Sequence, residues 1–81
     1  MMTTTTAAEA LFASTLQPSD HPTVARAEAA VTDAVNAYRG PDGCAGRWAW
    51  EYGEHPETAV VRMRWARALA ERLAGDARVA A

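Results

Sequence analysis

This 81-residue chain has one cysteine, Cys44, and two histidines, His21 and His55, the residue types of thiol nucleophiles and of zinc ligands. A zinc site needs three or four ligands at a workable spacing, and these three are scattered along the chain. A cysteine nucleophile needs a base beside it, and no pattern in the sequence supplies one. We therefore predict no metal site and no cofactor. Cys44 is interpreted as a small apolar helix residue, and each histidine, followed by a proline, as part of a helix start or turn.

Longer catalytic signatures are also missing from the sequence. It has no glycine-rich phosphate loop, no paired-carboxylate signature and no Ser/His/Asp arrangement. A chain of 81 residues forms one small domain, whose core leaves little room for a ligand pocket. We predict no catalytic residues, and a catalytic or small-molecule-binding helical protein ranks third among the functions considered.

Composition and charge exclude several other classes of protein. Hydrophobic residues make up 49% of the chain, too many for a disordered protein. No run of 18 residues is free of charge, so we expect no membrane span. The first residues lack the basic start and apolar core of a signal peptide, which predicts a cytoplasmic protein. The net charge of -2 gives no general basic surplus for binding phosphate backbones.

Apolar residues recur at steps of three and four, which is typical of helices rather than strands. With proline and glycine as breaks, this spacing predicts helices over about 5–16, 22–39, 43–52 and 56–74. Asp20 or His21 is expected to cap the second helix and Asp42 the third, with Gly53 as a left-handed cap residue after the third. The fold class predicted is all-α, a small four-helix bundle. A disordered tail at 1–4 and a frayed end at 76–81 would flank a single helical domain at 5–75.

The predicted fourth helix is apolar on more than one side. One row contains Ala59, Met63, Ala66 and Ala70, and an adjacent row contains Val61, Trp65, Leu69 and Leu73. A surface helix of a monomer normally shows one stripe of limited width, so the excess predicts contact with a second protein. Valine, tryptophan and arginine are common at such contacts. The interface residues predicted are Val60, Val61, Trp65, Leu69 and Trp50, in a homodimer or with a partner protein.

Residues 49–67 resemble a helix-turn-helix of the type found in region 4 of bacterial sigma factors. The resemblance is carried by Ala49 as the small residue between the helices, Gly53 in the turn, Thr58 near the second helix start and the pair Ala66-Arg67. It implies a helix-turn-helix-like third and fourth helix in a DNA-binding transcriptional regulator.

The nucleic-acid contacts that this resemblance implies are Thr58, Arg62, Arg64 and Arg67. Arginine can bind phosphate oxygens through two N–H groups at once, which favours the assignment. The outward positions hold Val60, Val61 and Trp65, which offer no paired hydrogen bonds to base edges. On these chemical grounds, DNA binding is kept as the alternative function.

The whole chain also resembles short helical proteins of actinobacteria. The resemblance is carried by 16–19, 43–45, 52–60 and 63–67, and it implies source and compartment without an activity. The function predicted first is therefore that of a small non-enzymatic regulatory or adaptor protein. It would act through partner binding or self-association by its C-terminal helix.

Overall fold

The computed structural model describes the backbone of residues 2–80 and the side chains of residues 2–77. Within this range the chain forms four α-helices and one short 3₁₀ turn at Pro18–Asp20. The helices are α1 (Thr4–Ala13), α2 (Val24–Ala37), α3 (Pro41–Glu54) and α4 (Pro56–Ala80). The predicted all-α four-helix bundle is confirmed.

The shortest helix, α1, lies at the centre of the bundle and contacts each of the other three helices. Ala10 and Leu11 are completely buried, and Ala8 and Phe12 are nearly so. Small alanine side chains let neighbouring helices approach closely, so a ten-residue helix can be packed from several directions. The sequence pattern indicated only a modest apolar face on this helix, because alanine contributes little to a hydrophobic stripe.

Local hydrogen bonds set the ends of α1 and the start of α2. Thr3 caps α1, since its hydroxyl accepts from the Thr6 N–H at 3.1 Å. The helix ends at Ala13, three residues before the predicted end, where the Ser14 hydroxyl donates to the Leu11 carbonyl at 2.6 Å. Thr23 caps α2 by accepting from the Arg26 N–H at 3.2 Å.

The predicted caps of α2, Asp20 and His21, were therefore wrong. The Asp20 carboxylate instead accepts from the Gln17 N–H at 2.8 Å and closes the short 3₁₀ turn. His21 adopts a left-handed backbone conformation with φ of 44°. These two residues shape the connection before α2, whose helical residues begin only at Val24.

A left-handed turn at Arg39 and Gly40 joins α2 to α3. The Gly40 N–H donates to the Val35 carbonyl at 2.8 Å, and the Arg39 N–H donates to Asn36 at 3.3 Å, the pairing of a Schellman motif. Gly40, with φ of 117°, then precedes Pro41, the first residue of α3. Asp42 therefore lies in the first turn of α3 and is not its cap, because the helix starts two residues before the predicted position.

A single residue, His55, separates α3 from α4. The predicted left-handed cap at Gly53 was wrong, since Gly53 lies inside α3 and the helix continues to Glu54. The predicted end of α4 near Gly75 was also wrong, because the helix continues to Ala80. One glycine costs a helix only about 1 kcal/mol, and Leu73 beside it still packs against the core. Met1 and Ala81, within the predicted tail and frayed end, lie outside the described residues.

Across residues 2–80, none of the helices combines the length and the apolar character that a membrane crossing requires.

The first turn of α3 leaves no space for a side chain at Gly43. A Cβ atom there would lie 1.8 Å from the Tyr38 carbonyl oxygen, whereas one at Gly46 would meet nothing within 4 Å. We expect Gly43→Ala to lower the free energy of unfolding by about 2 kcal/mol or more, because backbone must move. Gly46→Ala, in the same helix, should raise it by about 0.5–1 kcal/mol through helix propensity. Urea unfolding followed by circular dichroism measures both; equal effects of the two substitutions would contradict the prediction.

Candidate interaction surface

One of the two apolar rows of α4 forms its contact with the rest of the bundle. This inner row consists of Ala59, Met63, Ala66 and Ala70, and all four side chains are buried. Leu69 is also a core residue, only 3% exposed, so packing within the protomer accounts for it. Its position next to Ala70 places it at the edge of the inner row and not on the outer surface.

The remaining predicted interface residues of α4 are accessible. Val61 is 65% exposed, the highest value among the large hydrophobic side chains of the described residues. Trp65, one turn further along the same side, is half-buried, and so is Val60. Trp50 on α3 is 55% exposed and packs beneath the Arg47 guanidinium, 5.3 Å from its ring centre.

Arg62, on α4, donates hydrogen bonds to carbonyl groups at and just after the end of α1. Its Nε donates to the Phe12 carbonyl at 2.8 Å, while one Nη donates to Ser14 at 3.0 Å and to Leu16 at 2.8 Å. A longer bond of 3.4 Å reaches Leu11. The last carbonyls of a helix have no partner within it, so one guanidinium supplies the donors that the chain end lacks. Burial lowers the pKa of Arg62 from its ordinary value, yet an arginine remains charged.

The same guanidinium lies within a row of stacked rings. Its central carbon is 4.9 Å from the ring centre of Trp65 and 5.7 Å from that of Phe12. Phe12 meets the Trp48 ring edge-to-face at 5.2 Å, and Trp48 stacks on Tyr52 at 5.2 Å with an interplanar angle of 11°. We name this row the aromatic ladder: Tyr52, Trp48, Phe12, Arg62 and Trp65. It connects α3, α1 and α4, and it holds Trp65 in place beside exposed Val61.

A second row of α4 lies on the side of the helix away from its buried row, with Trp65 at the edge that still packs against the core. Val61, Trp65, Ala68 and Arg72 follow one another at steps of four, three and four residues. Val61, Ala68 and Arg72 are exposed, and Trp65 is half-buried. We call these four residues the outer stripe. The four positions share one side of the helix, because steps of three and four residues return to the same side.

The four residues predicted for nucleic-acid contact have different environments. Arg62 is engaged with α1, and the Thr58 hydroxyl donates to the His55 carbonyl at 3.2 Å. Arg64 and Arg67 are exposed. The ion pair found among the described side chains is Arg47 with Glu51, at 2.7 Å, so Arg64 and Arg67 face solvent without a carboxylate within 4 Å.

The residues considered for catalysis or metal binding are separated in the fold. Cys44 is fully buried; that burial raises the pKa of its thiol, and the negative charge of Glu9 raises it further. Such a thiol stays protonated at neutral pH and is a poor nucleophile. Both histidines are exposed, His21 before α2 and His55 between α3 and α4. The described side chains include no group of three or more His, Cys, Asp or Glu that could hold a metal ion.

Two open grooves flank the helices. One lies between the end of α1 and α2. Five alanines line it, and Arg26, Asp33 and Tyr38 contribute polar groups. The other, between the start of α1, α2 and the end of α4, is more apolar and includes Met2, Val31 and Leu73. Neither groove is lined by residues of the aromatic ladder or of the outer stripe.

The hydrogen bonds of Arg62 generate a stability prediction. Arg62→Met should lower the free energy of unfolding by about 2 kcal/mol, because the carbonyls at the end of α1 lose their charged donor. Arg62→Lys should lower the free energy of unfolding by a smaller amount than Arg62→Met, since an ammonium group keeps the charge but cannot span the same four oxygens. Arg67→Met, at another exposed position of α4, is the matched control and should stay within about 0.5 kcal/mol of the wild type. Urea unfolding measures all three, and an unchanged midpoint for Arg62→Met would contradict the assigned role.

Comparison with known proteins adds nothing to this geometry: no protein-family model, no curated protein and no solved structure matches the chain. Function has to be argued from the chemistry of the surface, and the outer stripe with its supporting ladder is the most distinctive part of that surface.

Proposed function

We propose that this protein is a small interaction module, a regulatory or adaptor protein that binds another protein chain through the outer stripe of α4. The observation that carries the proposal is the exposure of Val61, at 65%, directly beside Trp65. A branched aliphatic and an indole on one helix side expose apolar surface that burial against a partner would stabilise. Tryptophan and arginine are also the residues that most often dominate binding energy at protein interfaces.

The contacts that hold Trp65 in place favour a role in binding. Arg62 stacks on Trp65 and is itself fixed by bonds to α1, so the indole has a rigid neighbour. A side chain held in place before binding loses less entropy when a partner covers it. Val60 and Trp50 lie outside the outer stripe; Trp50 belongs to a separate contact with Arg47 on α3.

The proposal predicts a covalent adduct at position 61. A photo-crosslinking amino acid placed at Val61 should form an adduct with another protein chain on irradiation in the native host, whether a second copy or a different protein. The same amino acid at Ala25, exposed on α2, is the matched control and should give none. Val61→Asp should weaken association in direct binding measurements, because a carboxylate would be buried without a partner, whereas Ala25→Asp should not. Absence of a specific adduct at position 61 would overturn the proposal.

DNA binding is the second candidate function, favoured by the exposure of Arg64 and Arg67 without an ion-pair partner in the described part of the chain. Two such arginines, one turn apart on α4, can reach successive phosphates. Glu57 at the start of the helix and Glu71 near Arg67 weaken the local field. Arg62 is not available to bind phosphate, because its N–H donors are engaged with carbonyl groups of Phe12 and Leu16.

Duplex binding at different salt concentrations tests this second candidate. If it holds, Arg64→Ala and Arg67→Ala each weaken binding to random-sequence DNA and reduce the slope of log affinity against log salt by about one. Arg26→Ala, exposed on α2, should leave both quantities unchanged. Fluorescence anisotropy with a labelled duplex measures them, and a wild-type protein without salt-dependent binding would rule the candidate out.

A further inference from the structure

We propose that the occupant of the outer stripe is a second copy of this chain, with the two α4 helices antiparallel and Trp65 of each protomer packed against Ala68 of the other. This inference rests on the proposed function and specifies its partner. Two features of α4 carry it: the alternation of large and small residues along the stripe, and the charges that border the stripe.

The alternation of size makes the stripe self-complementary. In two antiparallel helices, a residue that comes early in one stripe meets one that comes late in the other. Placing Trp65 against the partner's Ala68 puts each large ring over a small side chain, and symmetry repeats the contact. The same alignment puts the aliphatic part of Arg72 against the partner's Val61, so all four residues of the stripe are used twice. A parallel pair would instead place Trp65 against Trp65 and Arg72 against Arg72.

The charges beside the stripe fix the same alignment. Arg64 precedes Trp65, and Glu71 precedes Arg72, so both lie along one border of the stripe. In the antiparallel alignment Arg64 of one protomer lies opposite Glu71 of the other, and the reverse pair forms by symmetry. Within one chain these two residues are about 10 Å apart along the helix, too far to pair. Both are exposed, and neither has an ion pair in the described part of the protomer.

A parallel arrangement has no such charge complementarity. Residues bordering the stripe on one helix would then meet those five positions later on the other. Arg64 would face buried Leu69, and Glu71 would face Asp76, a like charge. The charge pattern therefore favours a second copy in the antiparallel orientation. An apolar surface alone would not distinguish the two orientations.

Charge exchange between two separate proteins tests the inference. Wild-type protein should show concentration-dependent dimerisation by light scattering at low salt. Arg64→Glu and Glu71→Arg should each raise the dimer dissociation constant about ten-fold or more, because each places two like-charge pairs in the homodimer. An equimolar mixture of the two variants should recover wild-type affinity as a heterodimer, since every pair across that interface is again opposite in charge. Native mass spectrometry identifies the heterodimer by its mass.

Arg26→Glu and Glu54→Arg make the same charge changes at exposed positions off the stripe and should leave the dimer unaffected. A wild-type protein that stays monomeric, a dimer insensitive to both exchanges, or a mixture that does not recover overturns the inference. An adduct at position 61 with a different protein would leave the proposed function standing while this inference fails; no adduct at position 61 would remove both.

Discussion

The structure depends on hydrogen-bond donors for the carbonyl groups at the end of α1. The last carbonyls of α1 are partly buried against α4, and a buried polar group without a partner is costly. Arg62 meets this need with one planar group that reaches four carbonyl oxygens. Lysine could not do so, because its ammonium is a compact point charge on a flexible stem. The same guanidinium lies against Phe12 and Trp65, so one group links the end of α1 to the aromatic rings on both helices.

The bundle is built largely from small residues, and this determines what its surface can do. Alanines at the contacts between helices bring the backbones close together, which suits a chain too short to enclose a large core. Phe12 is buried among them, whereas the tryptophans and Tyr52 lie nearer the surface. Trp48 and Trp65 are half-buried, while Trp50 and Tyr52 are about half exposed, at 55% and 50%.

The sequence predicted the kind and number of helices well, because proline, glycine and the three-to-four spacing are local signals. It predicted the buried row of α4 for the same reason. It failed where tertiary packing decides the outcome. The ends of α1 and α4 are set by Ser14 and by the continued packing of Leu73, which helix propensity does not describe. Arg62 was grouped with Arg64 and Arg67, since only the fold reveals that its neighbours are carbonyl groups from another helix. Leu69 was placed on the outer surface because the width of a buried face depends on how many helices cover it.

The distance along the chain between Arg62 and its acceptors has a consequence for synthesis. The bonds connect residues separated by 46 to 51 positions, so the end of the first helix is completed by a group that the ribosome adds much later. Until then the nascent segment has neither its donor nor most of the surfaces against which it packs. Contacts so remote in sequence form only after a large part of the chain has been closed into a loop. The end of α1 therefore acquires its long-range hydrogen bonds only when α4 has been synthesised and has folded against it.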